Sequence, residues 1–280
     1  MKGKKMRLFC VLAAVFAVLV AGCLRTVQTE TQTETQTDAE WQEAWELANP
    51  QYDRAENFGW RRSSSLGITI TNYRGSDTDV RIPPQIQGVP VVRINEYAFA
   101  HFRLPNLDRG LTSVTIPDSV IVIDDHAFIG NQLTAITIGS GVMSIGLRAF
   151  IGNQLANLVI PDSVRSIGGA AFARNQLTSV VISNSLTVIN AQVFVGNQLT
   201  SVIIPASVTS IEDRAFQNNK LTSIVIPDSV TRIGPGVFDN NQLTSVIIPD
   251  SVTTISGFAF RNNQLSSVII PDRRTFTQNT

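Results

Sequence analysis

The chain has 280 residues, of which 43% are hydrophobic and 16% charged, enough apolar side chains for one or two packed domains and too many for a disordered polymer. Its formal net charge is zero, but Lys2, Lys4, Lys5 and Arg7 all stand at the extreme N-terminus. Without them, 18 basic residues face 22 acidic ones, a net charge of about minus four. A protein with this net negative charge has no electrostatic attraction to nucleic acid or anionic lipid.

Residues 1–22 have the organisation of an export signal, with a basic start, an apolar run from Leu8 to Val20, and the small residues Ala21 and Gly22. The apolar run is shorter than the roughly 20 residues that a membrane-spanning helix needs. The tetrad that ends at Cys23 resembles the lipobox of bacterial lipoproteins, which implies cleavage before Cys23 and acylation of its thiol and amino group. The alternative is ordinary cleavage after Gly22, with Cys23 left as a free thiol.

The two cysteines bear on where the protein resides and on which bonds it can form. Cys10 leaves with the signal, so a mature chain with one cysteine has no internal disulfide and no cysteine metal site. Acyl chains on Cys23 would anchor the protein permanently to the membrane. Leu24 follows the cysteine where an acidic retention signal would stand, which favours the outer membrane and cell surface of a bacterium.

Two segments separate this anchor from the main domain. Residues 23–37 alternate Thr with Gln or Glu after the cysteine and contain too few apolar side chains to fold, which predicts a tether with a reach of about 20 Å. Residues 38–65 form an N-terminal capping segment. There Thr37 and Glu40 predict a capping box, and a short helix with Trp41 and Trp45 on one face should end before Asn49. The two tryptophans either cover the open end of the domain or form a ligand-stacking platform.

The dominant feature is a repeat of 22 residues, which defines a domain over residues 66–271 and leaves 272–280 as a tail. A fixed period in this range, with a Leu-x-x-apolar-x-apolar core, is typical of solenoid proteins. Three residue types recur in register. Leu stands at 111, 133, 155, 177, 199, 221, 243 and 265; Asn at 131, 153, 175, 197, 219, 241 and 263; Phe at 128, 150, 172, 194, 216, 238 and 260.

One repeat, 241–260, shows the full pattern: Asn-Gln-Leu-Thr-Ser-Val-Ile-Ile-Pro-Asp-Ser-Val-Thr-Thr-Ile, then Ala259-Phe260. It resembles the BspA-like group of bacterial leucine-rich repeats, and the stretch from Ile68 to Pro83 resembles that group's first repeat. The resemblance implies a right-handed leucine-rich-repeat solenoid, with one parallel strand per repeat, short second strands and helical turns on the convex side. It also implies a surface protein that binds host or neighbouring-cell components. Many relatives carry Cys in the Asn column, and the last unit stops at Pro271 without its second half.

A single repeat cannot fold alone, because its inward side chains contribute about 9–18 kcal/mol while ordering 22 residues costs roughly 33 kcal/mol. Stacked repeats are therefore required, with strands about 4.8 Å apart. Prolines at the strand ends should stop each strand, and Gly139 and Ser183 in that position predict two strands with less sharp ends. The Asn column is interpreted as scaffold that satisfies backbone groups of the adjacent coil and not as a polar ladder for ligand, and the Phe column as core and not as an aromatic binding site.

The sequence offers few groups of residues that could form a catalytic site. The only histidines are His101 and His126, and Asp124-Asp125-His126 is more readily explained as a solvated turn than as a weak metal site. We find no phosphate loop, zinc spacing or nucleophile elbow. No enzyme activity, metal or cofactor is therefore expected, and an enzymatic function would require turnover that depends on one of these histidines or survives the loss of both.

Alternation along the first strand of each repeat predicts an outward face that is concave in this fold class. Its first two positions are small and hydroxylated, and the third is β-branched and apolar. A continuous apolar row beside hydroxyl groups marks a candidate ligand-binding strip, unless β-branched residues merely favour packing within their own ladder. The candidate residues are Val159, Val181, Ile203, Val225, Ile247 and Ile269, with Thr178, Thr200, Thr222 and Thr244 beside them.

Two functional hypotheses follow. The first is a lipid-anchored surface module that binds a protein or glycan through the strip. The second is an envelope scaffold that self-associates through its uncapped C-terminal strand, Ser266 to Ile270. A seven-residue insertion after Phe99, Ala100 to Asn106, also interrupts the repeat, as a functional loop or as sequence drift.

Overall fold

The computed structural model describes residues 37–63, 67–104 and 110–269. Cys23, most of the tether, residues 105–106 of the insertion and the tail lie outside the described residues. Within the described residues, no helix is both long and apolar enough to cross a membrane.

The predicted N-terminal helix is confirmed as α1, Asp38–Ala48. The hydroxyl of Thr37 accepts a hydrogen bond from the backbone N–H of Glu40, and the carboxylate of Glu40 accepts one from the N–H of Thr37, which completes the capping box. The helix ends at the predicted place, with Asn49 as its C-cap. Polar contacts attach it to the domain: Gln42 and Glu46 accept hydrogen bonds from the backbone N–H groups of Gln87 and Ala55.

The open end of the hydrophobic core is covered by an antiparallel hairpin of β1, Phe58–Ser63, and β2, Gly67–Tyr73. The ring of Phe58 lies 5.4 Å from that of Tyr73 and 6.2 Å from that of Phe99, measured between centroids. Tyr73 in turn stacks on Phe99 at 5.8 Å. Helix α1 has no buried residue, so Phe58 and Tyr73 supply the apolar part of the cap.

Short parallel strands stand in two rows along the described solenoid, called the front and back ladders, and gaps in the strand pairing divide each row into separate sheets. The front ladder contains the Leu-x-x-apolar strands and the back ladder the second strands of the repeats. The front ladder comprises β3 (Asp79–Arg81), β6 (Ser113–Thr115), β8 (Ala135–Thr137), β10 (Asn157–Val159), β12 (Ser179–Val181), an isolated bridge from Ile203 to Val225, β16 (Ser245–Ile247) and β18 (Ser267–Ile269). The first part of the back ladder runs from β2 through β5 (Val89–Ile94), β7 (Val122–Ile123), β9 (Ser144–Ile145) and β11 (Ser166–Ile167). Its second part comprises β13 (Val188–Ile189), β14 (Ser210–Ile211), β15 (Arg232–Ile233) and β17 (Thr254–Ile255). Strand β4 (Gln85–Ile86) pairs with β5 beside this ladder.

The register of these ladders reproduces the period of the sequence. Ser113 pairs with Ala135, and Ile211 with Ile233, each 22 residues on. Between β5 and β7 the interval is 29 residues, because Arg93 pairs with Val122, and the seven extra residues correspond to the predicted insertion. Part of that insertion forms a 3-10 turn at His101–Arg103. The solenoid therefore accommodates the insertion without losing register.

The prediction of less sharp strand ends at Gly139 and Ser183 is wrong. Strands β8 and β12 have three residues each and end at the same position of the repeat as β6 and β10, which precede proline. A Cβ at Gly139 would lie 2.5 Å from the backbone carbonyl of Pro117, so the chain at this point packs directly on the preceding coil. Stacking of successive turns therefore ends the strands whether or not proline is present.

Turns with a left-handed residue occupy the side that the resemblance assigned to helical turns. In the repeat around Phe150, the N–H of Ala149 donates to the carbonyl of Gly146 and that of Ile151 to Arg148, whose φ is +53°. The N–H groups that alternate with these donate instead to the next coil, from Arg148 to the carbonyl of Gly169 and from Phe150 to that of Ala171. A left-handed residue cannot continue an α-helix, so these N–H groups are free to bind the neighbouring repeat.

The Phe column is confirmed as core. Its rings are stacked from Phe99 to Phe260, with centroids 4.8–6.1 Å apart. Phe99, Phe128, Phe150, Phe172, Phe194, Phe216 and Phe238 are fully buried. One aromatic spine therefore connects the N-terminal cap to the last complete coil.

The Asn column is confirmed as scaffold. The side-chain oxygen of Asn175 accepts a hydrogen bond from the N–H of Leu155 in the preceding repeat, at 3.1 Å. Its side-chain nitrogen donates to the carbonyl of Phe172, three residues before it, at 3.2 Å, and to that of Phe150, one repeat earlier, at 3.0 Å. The same contacts recur from Asn131 to Asn263, so each amide connects two coils.

Replacement of Asn175 by Ala should lower the free energy of unfolding by about 2–4 kcal/mol, because it leaves one backbone N–H and two carbonyls in the core without their partner. Urea denaturation measures this. Gln176→Ala, one residue away and exposed, is the matched control and should change the free energy by less than about 0.5 kcal/mol. Equal effects of the two substitutions would contradict the role of the Asn column.

Candidate functional site

The predicted strip forms one row on the outer surface of the front ladder. Each of its residues occupies the third position of a front strand or the Ile203–Val225 bridge, and register places them on adjacent coils. The exposed fractions of the six side chains range from 57% at Ile269 to 86% at Ile203, although the residues on either side of the first five pack into the core. The structure therefore brings together Val159, Val181, Ile203, Val225, Ile247 and Ile269 as an exposed apolar row.

The neighbouring hydroxyl groups divide into two rows. The serine before each inward residue, such as Ser179 or Ser245, lies on the same strand face as the apolar row. The threonine one position earlier precedes the strand, and in Thr178 its hydroxyl donates to the carbonyl of Ala156 in the preceding coil at 3.2 Å. All four candidate threonines, Thr178, Thr200, Thr222 and Thr244, are exposed, but they stand beside the strand face and not on it.

An acidic edge, which the sequence interpretation did not single out, borders the strip on its other side. It consists of the aspartates that follow the strand-ending prolines: Asp118, Asp162, Asp228 and Asp250, all exposed. Hydrogen bonds from the backbone and side chain of Asn184 hold the pKa of Asp162 below its usual range. The recurring Pro-Asp dipeptide was the signal that could have revealed this edge.

The front strands after β3 carry no basic side chain, and Arg81 of β3, which stands at the strip position three coils before Val159, pairs with Asp79 at 4.0 Å. The front segments 112–118, 134–140, 156–162, 178–184, 200–206, 222–228, 244–250 and 266–269 contain no Lys or Arg. Arginines of the other faces are paired with carboxylates there, as Arg93 with Asp124 at 3.4 Å and Arg214 with Asp213 at 3.2 Å. None of the ion pairs between described residues includes an aspartate of the acidic edge.

One buried carboxylate outside the strip has a structural explanation. Asp239 has only 3% of its side chain exposed and accepts hydrogen bonds from Arg261, Gln217 and Asn262 on the adjacent coils. Arg261, at 2.7 Å, is the main cause of a lowered pKa at Asp239. This cluster joins the last coils to one another.

The histidine turn is not solvated as expected. The ring of His126 stacks on that of Tyr97 at 4.8 Å, its side chain is 14% exposed, and Glu96 lies 3.8 Å from its Nδ1. Burial raises the pKa of neighbouring Asp124, against the opposing effect of Arg93. In the described part of the chain, no three His, Cys, Asp or Glu side chains converge to hold a metal ion.

The two tryptophans of α1 are only loosely packed. Trp45 stacks on Tyr52 with centroids 5.7 Å apart, and Trp41 has 39% of its surface exposed. At the opposite end, all three residues of β18 are exposed, and among the described strands it pairs only with β16. Both ends of the described solenoid therefore have apolar surface open to solvent.

This stack of 22-residue coils, with its leucine and phenylalanine columns, defines a leucine-rich-repeat solenoid. The profile of the family described as BspA type leucine rich repeat region matches six copies in the chain, over residues 92–222 and 209–280. Because these matches cover more than half of the sequence, the chain belongs to this family. No curated protein matches it in sequence.

Solved structures of bacterial repeat proteins have the same fold. The pneumococcal vaccine antigen PcpA is 19% identical with a TM-score of 0.57, and the match covers 77% of this chain and 68% of that one. A leucine-rich repeat protein from Bacteroides ovatus is 22% identical with a TM-score of 0.52 and coverages of 76% and 69%. A leucine rich cell surface protein from Faecalibacterium prausnitzii is 24% identical with a TM-score of 0.51 and coverages of 78% and 69%.

Proposed function

We propose that this protein is a lipid-anchored recognition module of the bacterial cell surface, which binds a protein or glycan of another cell through the apolar row and the hydroxyl groups beside it. The observation that carries the proposal is the exposure of six β-branched side chains in one unbroken row. Folding does not require these side chains to be apolar, because Thr115 and Thr137 occupy the same position in earlier coils. A contiguous exposed apolar surface of this kind is typical of interaction sites.

Membership of the BspA-type family and the likeness to a cell surface protein support the location. The lipid anchor on Cys23 rests on the lipobox resemblance alone. The site lacks the paired acid, base or nucleophile that catalysis requires, so binding without turnover is the activity we propose.

Replacement of Val181, Ile203 and Val225 by Thr should preserve the fold and weaken ligand binding at least about tenfold, because a methyl group of each valine and the ethyl group of the isoleucine become hydroxyls at the centre of the contact. The mature chain with Cys23→Ser, labelled with a fluorophore, can be titrated onto host cells, neighbouring bacteria and extracellular matrix. Ile121→Thr with Met143→Thr, which alters exposed apolar residues on the back ladder, is the matched control. Unchanged binding by the triple variant would exclude the strip.

The anchor has its own test. Cys23→Ala should move the protein from the membrane fraction to the soluble fraction, because no thiol remains to accept the lipid. Protease added to intact cells should digest the wild-type protein if the solenoid faces outward. Protection from protease until the envelope is opened would contradict surface display.

A second candidate function is favoured by the exposure of β18. A strand with an open edge can pair with another copy, and this would make the protein a self-associating envelope scaffold. Light scattering of the Cys23→Ser chain should then show a mass that rises with concentration and that Val268→Lys abolishes. A constant monomer mass would argue against the scaffold and leave the recognition module.

A further inference from the structure

The front face combines two features that together specify the chemistry of a partner. The apolar row is one residue wide, since the strand neighbours on its own face are serines in most coils. Its six members span five coil intervals, about 24 Å at a strand spacing of about 4.8 Å. This is the length of an α-helix of about 16 residues, and the stripe that a helix buries is similarly narrow.

The charge of the front face determines which residues should flank the apolar stripe of that partner. The edge aspartates stand three residues after the apolar row, at most about 10 Å away, so the long side chains on the flank of a helix about 10 Å in diameter would have to reach them from an axis centred on the row. The aspartates of this edge form no ion pair with another described residue, and the front segments of the six coils that carry the apolar row contain no Lys or Arg, since Arg81 lies three coils before Val159.

Beside the apolar row the edge carries Asp162 near one end and Asp228 and Asp250 towards the other, with Asn184 and Ala206 at the same position between them. Carboxylates without a cation beside an apolar row favour lysine and arginine side chains on the partner that covers it.

The same charges exclude another occupant. A second copy of the chain that docked through the same strip would bring its own acidic edge, including Asp228 and Asp250, against the coils of the strip, whose front segments contain no basic residue. An anionic membrane surface would be repelled as well.

We propose that the front face binds a basic amphipathic helix of a partner protein, with its apolar stripe along Val159–Ile269 and its lysine or arginine flank against Asp162, Asp228 and Asp250. The inference deepens the proposed function and rests on it, because it assigns a ligand chemistry to the same strip. A helix that lies in a groove or on a surface is bound through apolar side chains one turn apart. The apolar row can contact such side chains along its whole length.

The test uses two synthetic 18-residue helical peptides that share a Leu/Ala stripe and differ only in their flanks, Lys in one and Glu in the other. Isothermal titration of the mature Cys23→Ser chain should show the Lys peptide binding at least about tenfold more tightly at low salt, with the difference shrinking as salt screens the contact. Asp228→Asn with Asp250→Asn should remove most of this preference. The control pair, Glu96→Gln with Asp213→Asn, removes the same charge from other faces and should retain it.

The outcomes separate the two proposals. Lys and Glu peptides that bind alike, binding of neither, or a preference that survives loss of Asp228 and Asp250 would overturn the helix assignment. If the Val181, Ile203 and Val225 triple variant still loses cell binding in that case, the recognition function stands and only its ligand chemistry is wrong. A dimer of the wild-type chain that this triple variant abolishes would identify a second copy as the occupant and overturn the inference.

Discussion

The structure depends on one constraint: no coil can satisfy its own polar groups or bury its own apolar side chains. The turn N–H groups donate to the next coil, each Asn amide bridges two coils, and each Phe ring stacks on its neighbours in adjacent coils. Each of these contacts requires a matching group at the equivalent position of the adjacent repeat. Equal repeat length and constant register are therefore consequences of the interaction itself.

This constraint also produces the binding surface. Once inward positions are committed to the core, the outward positions of successive coils form straight rows whose composition is free to vary. In the coils of the strip the front rows are mainly serine and β-branched apolar residues, bordered by aspartates, while the arginines of these coils lie on other faces, where several are paired with carboxylates. Separation of charge between faces is what allows one face to select a partner of opposite charge.

The helix cap at Thr37 could be predicted from the local spacing of Thr37 and Glu40. The repeat register, the Phe spine and the Asn bridges could be predicted because each depends on contacts that the period implies. The turns after each strand could not. Arg148 and His126 adopt left-handed conformations that favour glycine or asparagine, and only the hydrogen bonds to the next coil explain why non-glycine residues are tolerated there. The packing of His126 on Tyr97 was missed for a related reason, since the insertion obscures the alignment of these two positions.

By itself, the sequence determined that the chain is a solenoid with 22-residue coils, which side chains enter its core, and which form the exposed apolar row, because periodicity specifies inward and outward positions. Only the tertiary structure decided that the cap is the Phe58 and Tyr73 hairpin, that the threonines lie beside the strand face, and that the aspartates remain without cations. These properties depend on which side chains from different coils come within contact distance, and distance across coils is set by how the turns stack.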